Sequence, residues 1–446
     1  MSLSWKNWSR SVKVNPEQIA YPANEEELAQ LIRECAETGK TPRVAGSGHS
    51  FTALMADATV VISLDKMTGL IDVDPEARTA TAWAGTRLKD LGEMLHTHGL
   101  AMENLGDIDV QSLAGAISTG THGTGTAFGT IATQVIGLTL VTARGEILTC
   151  SEGMYPEIFK AAQVSLGSLG IITRITLRLK PAYKLKYVSK KEKLGDVLDR
   201  LEQYKRRNRN FEFYWFPYTD TVQTKEMNLT DESPKKHGIG KWFNDIFLEN
   251  GVFGLLSNIS RFIPGTSAAM SKVTAWGAGT SSDVSWSHQV FATPRYVKFQ
   301  EMEYNVPTEH FATVLQEIAA MIHAQKVRVH FPIECRWVTA DDIWLSPAYQ
   351  RESAYIAVHM FKGMPHRAYF DAVETIVKKY GGRPHWGKMH FQSPAELAQL
   401  YPKWEDFHRI RRELDPEGVF LNPYLRKLFG EVRMPTPAPD QKPYSE

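Results

Sequence analysis

Cysteine is scarce in this chain: there are three in 446 residues, Cys35, Cys150 and Cys335, set far apart. That spacing excludes a disulfide framework and any CxxC metal site, and it fits a reducing compartment. No segment approaches the roughly 18 consecutive apolar residues of a membrane span. The N-terminal Met1-Ser-Leu-Ser-Trp-Lys-Asn-Trp8 carries no apolar core of signal-peptide length. The expectation is a cytoplasmic protein without a membrane partner. Neither sign of charge dominates, since 51 Lys+Arg against 50 Asp+Glu leave a net charge of +1, so no field is set up for nucleic acid. The basic cluster Lys205-Arg206-Arg207 reads as a solvated helix end. A GxSxG nucleophile elbow is missing too. Leu166-Gly-Ser-Leu-Gly170 and Ala116-Ile-Ser-Thr-Gly120 are near misses, and the adjacency of His49 and Ser50 does not align a base with a nucleophile. A serine hydrolase is set aside on that ground.

What the chain does have is Arg43-Val-Ala-Gly-Ser-Gly-His-Ser-Phe51, a glycine loop that follows the apolar pair Val44-Ala45 and closes on a histidine. Gly46 and Gly48 allow positive φ and close backbone approach, so the N–H groups of Gly46, Ser47, Gly48 and their neighbours can form a concave anion site suited to a dinucleotide pyrophosphate. His49 and Ser50 then stand at its mouth. A lone glycine loop is weak evidence. A second small-residue segment, Ala114 through Gly125, includes Gly115, Ser118, Thr119, Gly120, Thr121, His122 and Gly123. It fails the Rossmann fingerprint, because no strand directly precedes its glycines and Thr126-Ala-Phe-Gly129 follows. By itself it could equally be a buried glycine-rich turn. As a partner of the first loop it lets backbone approach a flat cofactor, with hydroxyl donors to hand, and the two together point to a flavin.

The organisation is α+β. A helix is expected over 24–39, with Asn24 as its cap, Leu28, Leu31, Ile32 and Cys35 on one face and Gly39 as its stop. Strand-like runs at 43–45, 59–64 and 79–84 lead to a second helix at 87–98. Strands at 135–142 and 147–150 flank the hairpin turn Ala143-Arg-Gly-Glu146, and 171–179 alternates as a strand. Beyond about Val188 a helix at 194–207 precedes the aromatic strand Phe211–Pro217. Strands at 299–306, 328–338 and 353–361, with a helix at 311–324, suggest a second, antiparallel sheet. Trp242, Phe243, Ile246 and Phe247 form a helical stripe that either docks on a membrane or covers the second core. Its polar side lacks a dense basic face, which favours the second reading. The proline-rich tail from Pro435 is expected to be poorly ordered.

Two further clusters offer chemistry. Glu334 and Arg336 are two apart on a strand and so share a face. They are either a solvated salt bridge of small value or, given the apolar flanks Ile333, Trp337 and Val338, a pair that fixes a polar substrate and stabilises negative charge. In His385-Trp-Gly-Lys388, Trp386 supplies an apolar wall and Lys388 an amine open to pKa perturbation, with an ordinary solvated lysine as the plain alternative. His385 and His390 suit neither a helical metal pair nor a zinc cluster, so no metal is expected.

With Gly48-His-Ser50, His98-Gly-Leu-Ala101, Asn104-Leu-Gly106, Gly120-Thr-His-Gly123, Phe213–Pro217, Pro384-His-Trp386 and Leu414-Asp-Pro-x-Gly-x-Phe-Leu-Asn422, the chain resembles the sugar-acid lactone oxidases of the vanillyl-alcohol-oxidase flavoprotein superfamily. The likeness runs from about Asn15 to Phe429, and Phe420-Leu-Asn-Pro-Tyr-Leu425 places it nearer the L-gulono-1,4-lactone branch than the alditol branch. The resemblance implies a two-subdomain FAD-binding PCMH-type domain over 1–182 and an antiparallel-sheet substrate (cap) domain over 183–400. A segment at 401–430 would return to the FAD domain, and 431–446 would form a flexible tail. It implies FAD held covalently through His49, with Gly106, Gly170, Ile171, His385, Lys388 and Asn422 joining the two loops around it. It also implies oxidation of a secondary alcohol of a small sugar-derived lactone, with O2 or another acceptor taking the electrons. In that scheme Glu334 and Arg336 orient substrate, Lys388 or Glu334 handles the hydroxyl proton, and Trp386 with the 211–216 aromatics walls the pocket.

Overall fold

The computed structural model describes residues 3–234, 253–291 and 297–431, so the Trp242 stripe and the tail beyond 431 lie outside the described residues. An antiparallel pair, Trp5–Lys6 with Lys13–Val14, precedes a small parallel sheet in which Val60–Ile62 lies between Gln18–Ala20 and Pro42–Val44. The helix Glu25–Glu37 connects the two outer strands, and its Asn24 side chain accepts the Glu27 amide as an N-cap. An antiparallel sheet follows, in the order Ile147–Ser151, Val135–Val141, Ile171–Arg178, Thr79–Trp83, Leu70–Asp74. One large core joins these layers, including Leu28, Ile32, Leu91, Leu138, Ile175 and Leu177.

The second layer is an eight-stranded antiparallel sheet. Its order is Ser281–Trp286, Lys184–Lys193, Thr221–Leu229, Asn210–Trp215, Ile333–Val338, Ser353–Phe361, Phe299–Pro307, Arg383–Pro384. Alternation along the central strands sends Phe211, Phe213, Trp215, Ile333, Cys335, Trp337, Ile356 and Val358 into a second core. There they meet Phe311, Leu315 and Ile318 of the helix Phe311–Ala324. Period 2 therefore puts Glu212, Tyr214, Glu334, Arg336, Tyr355 and His359 on the other face. That face is buried as well, because the first domain covers it.

Four local details differ from the sequence reading. The strand expected from 328 starts at Ile333, directly after Pro332, which has no N–H to give a ladder. The helix expected over 194–207 is two pieces, Leu194–Asp199 and Leu201–Arg207. The basic cluster at its end is not simply solvated. Lys205 is buried and paired with Glu202, while Arg207 pairs with Glu226 and lies over Tyr204. The chain also rejoins the first core before residue 401. Trp386 and Leu397 already belong to that core, ahead of Trp404, Phe407, Leu425 and Phe429.

Candidate functional site

The glycine loop leaves the strand Pro42–Val44 and runs along the floor of a cleft of about 1200 Å³, open mouth included. Its walls bring together Val44, Ala45, Gly46, Ser47, Gly48, His49 and Ser50 with Ala114, Gly115, Ser118, Thr119, Gly170 and Ile171. None of the backbone N–H groups of Gly46 through Ser50 has a protein acceptor among the described residues, which leaves five successive donors for a ligand. Gly48 takes φ +70. Gly46 does not, contrary to the sequence reading. Its reason is proximity, since a Cβ there would lie 2.4 Å from Ser112 Oγ. The residues present fit a bound dinucleotide: a bare backbone cradle, narrowed by glycine, with hydroxyls on its rim.

Arg43, Arg87, Ser112 and Phe420 also line the cleft and were not singled out from sequence. Arg43 is buried and donates to the carbonyls of Leu54, Leu166, Gly167 and Phe420, tying the loop base to three distant segments. Burial pulls its pKa down to about 10.

Several sequence candidates stand away from these walls. Gly120 takes φ +73 beside Pro347, Gly106 packs on the His122 carbonyl, and Gly123 packs on the Leu105 carbonyl. Thr121 Oγ1 accepts a bond from Gln111. Asn422 caps the helix Pro423–Phe429 and donates to the carbonyls of Ala53, Leu54 and Ala56. It thus clamps the segment just after the glycine loop.

At the His49 end the cleft meets the polar face of the large sheet. His49 is half-buried and stacked on Trp8. Burial, reinforced by the Lys388 charge and opposed by Glu301, lowers its pKa to about 4, so the ring is neutral at pH 7. The Phe51 amide donates to the Gly387 carbonyl at 2.7 Å, and Thr52 Oγ1 donates to the Trp386 carbonyl. The 385–388 turn is thereby fastened to the glycine loop.

Two buried charge clusters occupy that face. Arg336 Nε lies 2.9 Å from Glu212, and its Nη2 pairs with Asp107 at 2.9 Å and with Glu334. Tyr214 donates to Glu334, and Lys225 pairs with Glu212 at 3.2 Å. Although burial opposes it, the carboxylates of Asp107, Glu334 and Glu212 hold the Arg336 pKa well above its usual value. In the second cluster Lys388 Nζ donates to Glu301 at 2.5 Å, and His122 Nε2 lies 3.1 Å from Glu303. The clusters are in register across the sheet, with Glu334 opposite Ala357 and Ala357 opposite Glu303. Lys388 keeps its charge, because Glu301, Glu303 and Asp107 outweigh a burial effect that would lower its pKa.

Among the described residues, His122, Glu303 and His385 bring ligand atoms within 4.8 Å of one another. They read as a hydrogen-bonded cluster, in which His122 Nε2 faces Glu303 and its Nδ1 the Gly123 carbonyl. His385 Nδ1 accepts the Gly387 amide, which leaves its proton on Nε2, the atom a metal would need bare. Burial lowers the His385 pKa to about 3.

Asp107, Glu212, Tyr214, Glu301 and Glu303 were missed in the sequence. The available signal was acidic residues at alternate positions of otherwise apolar strands, as in Phe299-Gln-Glu-Met-Glu-Tyr304. The expected aromatic wall is formed in part, with Tyr214 on the polar face beside Glu334. Phe211, Phe213 and Trp215 face the second core, and Trp386 is stacked on Tyr401 in the first.

A glycine-walled cleft beside a buried, charge-lined sheet fits an FAD-dependent oxidoreductase. Residues 175–428 match the D-arabinono-1,4-lactone oxidase family model and residues 16–151 the FAD binding domain. The chain is 39% identical over 431 residues to L-gulono-1,4-lactone dehydrogenase of Mycobacterium tuberculosis, covering 96% of this chain and 100% of that protein. It is 36% identical over 434 residues to L-gulonolactone oxidase of Bos taurus, covering 96% and 98%. It belongs to the D-arabinono-1,4-lactone oxidase family. Its fold matches cholesterol oxidase from B. sterolicum at 18% identity with a TM-score of 0.81, over 96% of this chain and 97% of that one. No helix among the described residues is long and apolar enough to cross a membrane.

Proposed function

We propose that this protein oxidises the secondary alcohol at carbon 2 of an aldonolactone of the L-gulono-1,4-lactone type, giving a 2-keto-lactone that enolises to an ascorbate-type enediol. The observation that carries this reading is the pairing of two buried charge clusters, Arg336–Glu334 and Lys388–Glu301, the second of which stands close to His49 at the end of the cleft. A small, rigid, polyhydroxylated ring needs few partners at fixed positions, whereas an open-chain alditol must lose several chain rotations on binding.

The Gly46–Ser50 loop, Gly115, Ser118 and Thr119 would hold the dinucleotide, and neutral His49 would hold the flavin covalently, as a nucleophilic imidazole toward its 8-methyl carbon. Bound FAD supplies the acceptor for the hydride that leaves carbon 2. Arg336 orients the lactone's polar edge. Lys388, charged and fixed, stabilises negative charge on the reacting oxygen, which leaves the Glu334 carboxylate to take the hydroxyl proton. Burial of both clusters keeps water from competing for these groups. The electrons pass on to O2, giving H2O2.

Anaerobic stopped-flow flavin reduction with L-gulono-1,4-lactone, L-galactono-1,4-lactone, xylitol and sorbitol tests this reading. The lactones should give the higher second-order rate constants. A higher constant for xylitol or sorbitol would replace it with an alditol oxidase. Peroxide release measured against dye reduction in the same preparation decides the acceptor, and dye reduction without peroxide identifies a dehydrogenase.

A further inference from the structure

Lys388 is gripped by Glu301, a residue to which the scheme above gives no chemical step. Glu301 Oε2 accepts from Lys388 Nζ at 2.5 Å, and the Glu301 backbone carbonyl accepts the amide of Met389, so one residue holds both the amine and the main chain beside it. Its other carboxylate oxygen, Oε1, lies 3.4 Å from His359 Nε2, and His359 Nδ1 lies 3.2 Å from the Pro332 carbonyl. Glu301 and His359 stand directly opposite each other on the paired strands Phe299–Pro307 and Ser353–Phe361. The support is therefore built into the sheet ladder and not into a loop. The Glu301 side chain is 5% exposed and that of Lys388 14%.

We propose that Glu301, backed by His359, is a positioning residue that fixes Lys388 as a permanent cation at the reacting oxygen of the substrate, so that Lys388 acts as an oxyanion-stabilising ammonium and not as the base. This rests on the reading that Lys388 meets the substrate. A buried amine without a carboxylate loses its proton readily, and burial does push Lys388 in that direction. The groups facing it are the carboxylates of Glu301, Glu303 and Asp107, which favour the charge, and the imidazoles of His49 and His385, both kept neutral by burial. Glu301 is the one in direct contact, and Lys388 in turn holds the Glu301 pKa down to about 2 against burial.

The test replaces the charge and keeps the shape. In Glu301→Gln the alkaline limb of the flavin-reduction rate should move down by at least about one pH unit, with a loss of roughly 10- to 100-fold at neutral pH. Glu301→Asp, which keeps the charge, should return the limb toward its native position, and His359→Gln should shift it less than Glu301→Gln does. Competitive acetylation of Lys388, read by peptide mass spectrometry across pH, provides a measurement independent of turnover. Lys388 should be labelled at lower pH in Glu301→Gln than in the native protein. An unmoved limb with unmoved labelling would leave Glu301 a merely structural residue and overturn the proposal. A rate that rises at lower pH in Glu301→Gln would make Lys388 the base and overturn it as well. Should Glu301→Gln not accumulate as folded protein, His359→Gln carries the same two readouts with the same signs. If no aldonolactone reduces the native flavin, the lactone reading fails, while Lys388 labelling still decides whether Glu301 keeps it charged.

Discussion

Trp8 lies nearly flat on His49, with ring centroids 5.2 Å apart and 23° between the planes. The stack fixes the orientation of an imidazole that burial already keeps neutral down to about pH 4. Acid denaturation should therefore leave yellow colour on the polypeptide, and His49→Ala should release it. With the neutral ring as the proposed nucleophile, flavin attachment to apoprotein should be insensitive to pH above about 5 and slow as the pH falls through 4. A flavin that washes out of the unmodified chain would sink the covalent assignment.

Gly46 stands against Ser112, not in a left-handed turn. Gly46→Ala should cut flavin content sharply, since the new methyl would lie 2.4 Å from Ser112 Oγ. Adding Ser112→Ala should recover much of it, because the remaining Ser112 Cβ would be 3.4 Å away, an ordinary contact. Absorbance of purified protein at the flavin maximum reads both variants. No recovery in the double variant would mean that the loop, and not Ser112, rejects the methyl group.

Arg336 serves three buried carboxylates, so its removal confounds chemistry with folding. Arg336→Ala should cost roughly 3–5 kcal/mol of stability by leaving those charges unpaired. Arg336→Lys keeps a charge but loses the fork. It should retain most of the melting temperature while lowering flavin reduction by about 100-fold, the scale for losing a preorganised electrostatic partner. A lysine variant with normal flavin reduction would reduce Arg336 to a structural role.

Acid stability should fall in two stages. Burial lowers His49, His330 and His390 to about 4, and His385 and His408 to about 3, from 6.5. Between those values the unfolded chain binds more protons than the folded one, so stability decreases as pH falls below about 6.5. Glu301, held down to about 2 from 4.5, adds a second loss below about pH 4.5. Melting temperatures across pH 3–8 check the shape, and a flat curve down to pH 4.5 would contradict it.

Much of the cofactor cleft was legible because its determinants are local. Gly46, Gly48 and Gly115 report space that any side chain would fill, and alternation along 333–338 was enough to put Glu334 and Arg336 on one face. Sequence alone also indicated two sheets, and it separated the second glycine segment from a Rossmann site. It could not choose between a solvated salt bridge and a substrate pair. Burial removes the solvated reading, because Asp107 and His122 of the first domain pack on the polar face of the second.

What only the tertiary structure decided is which charges meet. Glu212 lies 124 residues before Arg336, and Glu301 lies 87 before Lys388. The first pair is made by strand order and register, the second by the 385–388 turn docking on the strand Phe299–Pro307, and no local propensity specifies either. The sequence by itself determined the cradle, since backbone freedom and side-chain volume are properties of single residues. The reactive face belongs to the fold. Its ion pairs are interactions across a sheet, and their strength depends on water being excluded by a domain encoded elsewhere in the chain.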